Sequence, residues 1–576
     1  MSLPRLFAAI ALVPVIAGAQ VVLPLKHKPV PTKPAITAAD LMTRLYIYAD
    51  DSMQGRQTGT AGHVKATAYI AAQVKALGLK PAGDNGGYFQ NVPVVQRSFD
   101  PTSTISVDGA TLNGIKDFVP AGGRGGASRS IDGAQVIYGG VAGDTLNLLT
   151  AEQVRGKLVV FSAAPPQAGG GRGGRAGGGG RGGRGNANPA MADAAGMATI
   201  AGDSLFLVAA RNSAPRAGIG LVFQGGDAAA SLPSAGALMI SPRAAEVLLG
   251  MPVAQAQKGT LGGTVRGAVK FIESPVPARN VVAILEGSDR KLRTEYVALG
   301  AHNDHIGMRA GNPVDHDSLH IYNELRFAIT GMVARGQQAT PEQLDAVRNI
   351  RLNLDSIRRV RPVRFDSISN GADDDGSGTV TVLELAEKFA SLPKAKRPKR
   401  SIVFVWHVGE ENGLWGSQWF TDHPTVPRES IVAQLNMDMV GRGEKSDLPV
   451  GGPDYLQLVG TRRLSTELGD LFETVNKSQK LPFRLDYQYD ANGHPENIYC
   501  RSDHYEYARY GIPVVFATTG LHGDYHQVTD EPQYISYDHM ARIGTLMYDM
   551  AVRVANLDHR PMIDKPKPDP KGRCQQ

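Results

Sequence analysis

Cysteine is nearly missing from this chain. Cys500 and Cys574 are the only two in 576 residues, too few for a disulfide framework or a thiolate metal site. Beyond the N-terminus, no apolar run approaches the ~20 residues needed to cross a bilayer, which excludes a multi-span membrane protein. A strong charge bias is also absent, since 61 Lys+Arg against 55 Asp+Glu leave only +6. With 42% hydrophobic and 20% charged residues, wholesale disorder is excluded as well. At ~150 residues per domain, the length leaves room for two or three domains with sizeable cores.

Glycine is in surplus, at 67 residues where average usage is ~7%. Part of that surplus is local. The segment Gly169 to Gly185 reads GGGRGGRAGGGGRGGRG and holds twelve Gly and four Arg, so it supplies most of the net charge. Nothing in it can bury apolar area, which predicts a flexible loop. An RNA-binding reading of the same residues lacks the interleaved aromatics that stack on bases, so no nucleic-acid partner is expected.

At the N-terminus, Arg5 precedes the apolar run Leu6 to Ala17, and Ala17-Gly18-Ala19 follows as an A-x-A cleavage pattern. This predicts a signal peptide over 1–19, a mature chain starting near Gln20, a periplasmic or extracellular location and no stable membrane association after cleavage.

Periodicity predicts two helices between Ala38 and Leu79, split by a turn from Gln54 to Gly62. These belong to a first section over 20–95. From 96 to 277 the texture is of short strands, such as Thr104 to Val107, Ala134 to Tyr138, Lys157 to Phe161 and Gly220 to Phe223, as in a β-rich insert. From 278 to 557, apolar strands alternate with amphipathic helices, the pattern of an α/β sheet. The last stretch, 558–576, reads as a disordered tail, and the basic loop Lys394 to Arg400 as a solvated connection.

Four strand-like runs of the last section end in residues able to hold a metal. Tyr296 to Gly300 leads to His302 and Asp304, Ser401 to Trp406 to Glu410 and Glu411, Val432 to Leu435 to Asp438, and Ile512 to Ala517 to Tyr525 and His526. Ligands of open α/β sheets bind beyond the carboxyl ends of the strands, so these residues converge on one rim. Asp373, Asp374 and Asp375 precede a predicted helix from Thr379 to Leu392 on that rim. Histidine and carboxylate donors without cysteine suit zinc or another divalent ion. Five such ligands complete a two-metal site, and an adjacent Glu pair allows one carboxylate to bind metal while the other stays free as a base. Asp315, His316, Asp317 and His320 are rival donors, less favoured than His302 because they do not follow a strand.

The segments ALGAHNDHIG, NGADDDGSGTVTVLELAE, HVGEENGLWGS, LNMDMVG, RSDHYEYARYGIP and GDYHQVTDEP resemble the two-zinc aminopeptidase family that includes bacterial leucyl aminopeptidases, glutamate carboxypeptidase and the transferrin receptor. The resemblance implies an α/β zinc-peptidase fold with a mixed, mainly parallel sheet, and it likens the insert to a protease-associated domain. It further implies two Zn2+ per chain, one held by His302 and Asp438, the other by Glu411 and His526, with Asp374 bridging and a cis peptide joining it to Asp375. Glu410 becomes the general base and Tyr525 the oxyanion donor. Asp304 supports His302, and Asp375 and Asp503 stand behind the ligands, though packing serves equally for the Ser502-Asp503-His504 segment. The implied activity is that of a secreted aminopeptidase acting on peptide substrates. A carboxypeptidase or dipeptidase, a single-zinc glutaminyl cyclase and a non-catalytic receptor are the alternatives. One departure is an insertion over 308–365, in which Glu342 to Arg359 is expected to be helical and either to lid the site or to decorate the surface.

Overall fold

The computed structural model describes residues 23–120, 131–144, 146, 148–163, 189–204, 206–208, 220–225, 236–331 and 339–576. The signal-peptide and Gly/Arg-loop expectations lie outside the described residues. The N-terminal helices are α1 (Ala38–Tyr48), capped by the Thr37 side chain on the Asp40 amide, and α2 (Ala61–Ala76), capped by Thr60. A turn containing Gln54 and Gly55 in left-handed conformations separates them.

The central sheet contains β1 (Lys80–Pro81), β2 (Phe89–Asn91), β3 (Arg279–Leu285), β4 (Tyr296–His302), β5 (Ser401–His407), β6 (Ile431–Met437), β7 (Tyr455–Val459), β8 (Arg484–Asp486) and β9 (Val514–Thr518). Its order is β1-β3-β5-β4-β6-β9-β7-β8, with β2 paired to β3. The four central strands, β5, β4, β6 and β9, run parallel, while β3 and β7 pair antiparallel to their inner neighbours. Every residue of β5 is buried, as expected of a parallel strand covered on both faces. Ile402, Phe404 and Trp406 face one helical layer with Leu41 and Leu45, and Val403 and Val405 face the other with Phe420 and Tyr507. From β4 the chain passes to β5 on one side and afterwards to β6 on the other, so the sheet's switch point lies at the carboxyl end of β4, where such folds bind ligands.

Strands between Thr104 and Ala268 form a separate eight-stranded sheet with its own core, including Phe118, Val136, Leu158 and Val265. Gly220–Phe223 is a strand, yet it belongs to a different, three-stranded ribbon with Val94–Phe99 and Phe271–Pro275. Phe223 of that ribbon packs on Trp415 and Trp419 of the central domain, with ring centroids 6.0 and 6.2 Å away.

Three expectations need correction. The insertion does not hold one helix over 342–359. It holds α3 (His316–Thr330), α4 (Pro341–Arg348) and α5 (Leu354–Val360). Asn349 ends α4 and the Asn353 side chain caps α5 on the Ser356 amide, because asparagine competes for backbone groups better than it continues a helix. In the basic loop, Arg400 is buried, paired with Glu295 at 2.7 Å and donating to the carbonyls of Leu557 and His559. Finally, the tail beyond 558 has neither helix nor strand but is tied down. Cys574 forms a disulfide with Cys500, the Met562 amide donates to Glu467, Arg509 donates to the Pro570 carbonyl, and Ile563 joins a core cluster.

Candidate active site

The metal-type side chains gather at the switch point. His302 is the last residue of β4 and Asp438 follows the end of β6. Glu410 and Glu411 lie on the loop after β5, and Tyr525 and His526 on the loop after β9. Asp374 sits in the turn before α6 (Gly378–Ala390), and the Asp374–Asp375 peptide is cis. The Asp530 carboxylate accepts from the amides of Asp373 and Asp374, and Asp375 accepts from the amides of His302, Gly378 and Met439. These bonds lock the turn to the strand ends. Gly378 allows the close approach, since a Cβ there would lie 2.1 Å from the Met437 carbonyl oxygen.

Two ligand groups share Asp374. On one side, His302 Nε2 lies 3.0 Å from Asp374 Oδ1 and 3.7 Å from Asp438 Oδ1. On the other, His526 Nε2 lies 3.0 Å from both Asp374 Oδ2 and Glu411 Oε2. Asp374 therefore turns one oxygen to each group. His302 Nε2, Asp374 Oδ2 and Glu411 Oε1 are buried without a hydrogen-bond partner, an arrangement that is costly unless a cation takes the lone pairs. Each group's donor atoms lie within 4.8 Å of one another, and the imidazole and carboxylate chemistry suits zinc.

Glu410 belongs to neither group and lines a pocket with Asp374 and Asp438. The two adjacent glutamates are driven apart. Burial raises Glu410 well above the ordinary carboxylate range, and Asp438, Glu411 and Asp503 add to this against His302. Burial also pushes Glu411 upward, but His526 and His305 overcome it and bring Glu411 to about 2. Tyr525, half-buried near Asp374, is pushed up to about 12 mainly by desolvation and so keeps its proton. Tyr489, Met439, Ile498, Phe516 and Leu521 supply the pocket's apolar lining.

The supporting residues differ in detail from expectation. His302 Nδ1 faces the backbone carbonyl of Asp304 at 3.0 Å, while the Asp304 carboxylate is 3.7 Å away and accepts from Thr58 and from the Glu410 amide. Asp503, expected behind the ligands or in packing, is paired with none of the five ligand side chains. It faces His407 Nδ1 at 3.4 Å, and its neighbour Ser502 donates to Asp438 Oδ2 at 2.7 Å. Of the rival donors, His316 pairs with Asp366 at 3.1 Å and His320 with Asp524 at 2.8 Å, Asp315 pairs with Arg358, and Asp317 pairs with Arg361 at 3.2 Å. None of the four joins either group. Two residues of the site escaped the sequence reading. Arg501 lines the pocket and donates to the Tyr525 hydroxyl at 3.3 Å. His305 reaches the Glu411 side. Its spacing, three residues past a strand-end histidine, was the available signal.

A model of peptidase family M28 matches residues 344–551. The chain carries a peptidase family M28 domain. The match includes Asp374, Glu410, Glu411, Asp438, Tyr525 and His526, while His302 lies before it. The chain is also similar to leucine aminopeptidase 1 of Aspergillus fumigatus, at 29% identity over 195 residues, 32% of this chain and 47% of that protein. The enzyme of the same name from Aspergillus oryzae is 30% identical over 196 residues, with 32% and 47% covered. The matched stretch thus spans about half the length of these curated relatives. Among solved structures, an aminopeptidase from Aneurinibacillus sp. strain AM-1 aligns over 92% of this chain and 97% of its own, at 16% identity and a TM-score of 0.44.

Proposed function

We propose that the protein is a secreted two-metal aminopeptidase that removes N-terminal residues from peptides. The observation that carries this reading is the shared carboxylate. Asp374 faces His302 and Asp438 with one oxygen and His526 and Glu411 with the other, while Glu410 stands free beside both groups. Two divalent ions, zinc by donor chemistry, would be held by those five residues. When bound, they supply Lewis-acid polarisation of the scissile carbonyl and lower the pKa of water.

Glu410 takes a proton from the attacking water as the new C–O bond forms, and returns it to the leaving amine as the C–N bond breaks. Tyr525 donates to the oxygen that gains charge, with Arg501 setting the direction of its hydroxyl. The apolar pocket receives the side chain of the substrate's first residue, and its free amine faces the carboxylates of Glu410 and Asp438. A carboxypeptidase would instead need free basic groups. Among the described residues, Arg501 is the one basic side chain lining this pocket, and Glu496 pairs with it at 2.9 Å.

The Cys500–Cys574 disulfide supports an oxidising location, periplasmic or extracellular. No helix among the described residues is long and apolar enough to cross a membrane. The eight-stranded sheet is read as a protease-associated insert, supported by its separate core. Replacing Glu410 by Gln tests the mechanism. Turnover is expected to fall by about 10²- to 10⁴-fold with metal content unchanged, and full activity in that variant would overturn the assignment. A metal-to-protein ratio of one would favour the single-zinc transferase reading.

A further inference from the structure

We propose that His305 is a ligand of the metal centre, so that the Glu411 side has four protein donors against three on the Asp438 side and the two ions are held unequally. This rests on the two-metal reading above and adds an asymmetry to it. Three observations carry it.

First, His305 Nδ1 lies 2.8 Å from Glu411 Oε1 and 3.7 Å from Asp374 Oδ2, and its ring stands edge to face with that of His526 at 5.6 Å. Second, both of its ring nitrogens are buried, Nε2 has no polar partner, and Nδ1 meets only carboxylate oxygens of the ligand group itself. A 1% exposed imidazole so placed is uncommon in a folded protein, and it calls for an explanation. Third, the backbone is shaped around it. Gly371 adopts φ +55°, and a Cβ there would lie 2.5 Å from His305 Cγ and 2.2 Å from the Asp374 carbonyl oxygen. The same glycine that admits the turn carrying Asp374 therefore admits the His305 ring.

The consequence is a ranking of sites. Four protein donors make a closed set, as in sites that retain their ion, whereas three leave a position open. The ion on the Glu411 side is therefore the one that resists removal.

The test uses the full-length zinc-loaded protein, titrated with a competing chelator and examined by X-ray absorption. The expected wild type binds two zinc ions, releases one at a chelator concentration that leaves the other, and shows three imidazoles shared between the two ions. His305→Ala and His305→Asn are both expected to weaken the tighter ion by about tenfold or more and to leave two imidazoles. The asparagine keeps an N–H near the Nδ1 position, so it separates ligation from donation to Glu411. Wild-type affinity in His305→Asn, or two imidazoles in the wild type itself, would overturn the proposal without needing the alanine variant to fold. A wild type that holds fewer than two ions would instead remove the two-metal reading beneath it.

Discussion

Asp374 is the residue on which the site turns, and its placement is set by backbone rather than by its own side chain. The amides of Asp373 and Asp374 are held by Asp530, and the chain enters the turn through Gly371 at φ +55°. Gly371→Ala is therefore expected to cost more than ~1 kcal/mol, since an L side chain is strained at positive φ and its Cβ has nowhere to go. Denaturant midpoints of the zinc-free protein measure it, and an unchanged midpoint would contradict the account. At this scale the sequence was informative where chemistry sits at a strand end. His302, Glu411, Asp438 and His526 each follow an apolar run, and all four meet at one rim. It was silent where a contact depends on rotamer or loop path. Nothing in Ser502-Asp503 says that the serine rather than the aspartate reaches Asp438, and nothing before folding links Arg501 to Tyr525.

Among the elements, α3 has the clearest task. It lies in the insertion, and its His320 and Asn323 hold the loop that carries Tyr525 and His526. His320 Nδ1 pairs with Asp524 at 2.8 Å and its ring stacks on Tyr534 at 3.8 Å, while Asn323 Nδ2 donates to Thr529 Oγ1 at 3.2 Å. The insertion thus braces the ligand loop from outside. Asn323 is buried, so Asn323→Ala leaves buried polar partners unmet and should lower stability by about 1–3 kcal/mol. On α4, Leu344 is 45% exposed, and Leu344→Ala should stay within ~0.5 kcal/mol. Thermal unfolding of the two variants side by side checks both figures, and equal effects would contradict a bracing role for α3. The helix itself was hidden in the sequence because His316, Asp317, His320 and Glu324 interrupt its apolar face. The central strands were legible because burial on both faces makes them continuous apolar runs.

For the whole molecule, the sparse cysteines matter more than their number suggested. Their disulfide closes a separation of 74 residues and fixes the last segment against the wall that bears Ile498 and Arg501. A tail rich in Pro and Lys carries no periodic signal, and only the fold shows that Cys574 meets Cys500. In the chain-entropy picture a loop of this length is worth about 4 kcal/mol. Cys574→Ser should lower the unfolding free energy by roughly that amount, and a reductant should then have no further effect. A variant as stable as the parent would show that the tail is not tied to the body in solution.

The central claim is that two shared ligand groups and a free glutamate make an N-terminal peptidase. It is tested most directly by the hydrolysis of leucine p-nitroanilide beside its N-acetyl derivative, before and after chelation. The account predicts cleavage of the free-amine substrate alone, lost with the metal and restored by zinc. Cleavage that survives chelation, or equal cleavage of the acetylated substrate, would contradict it.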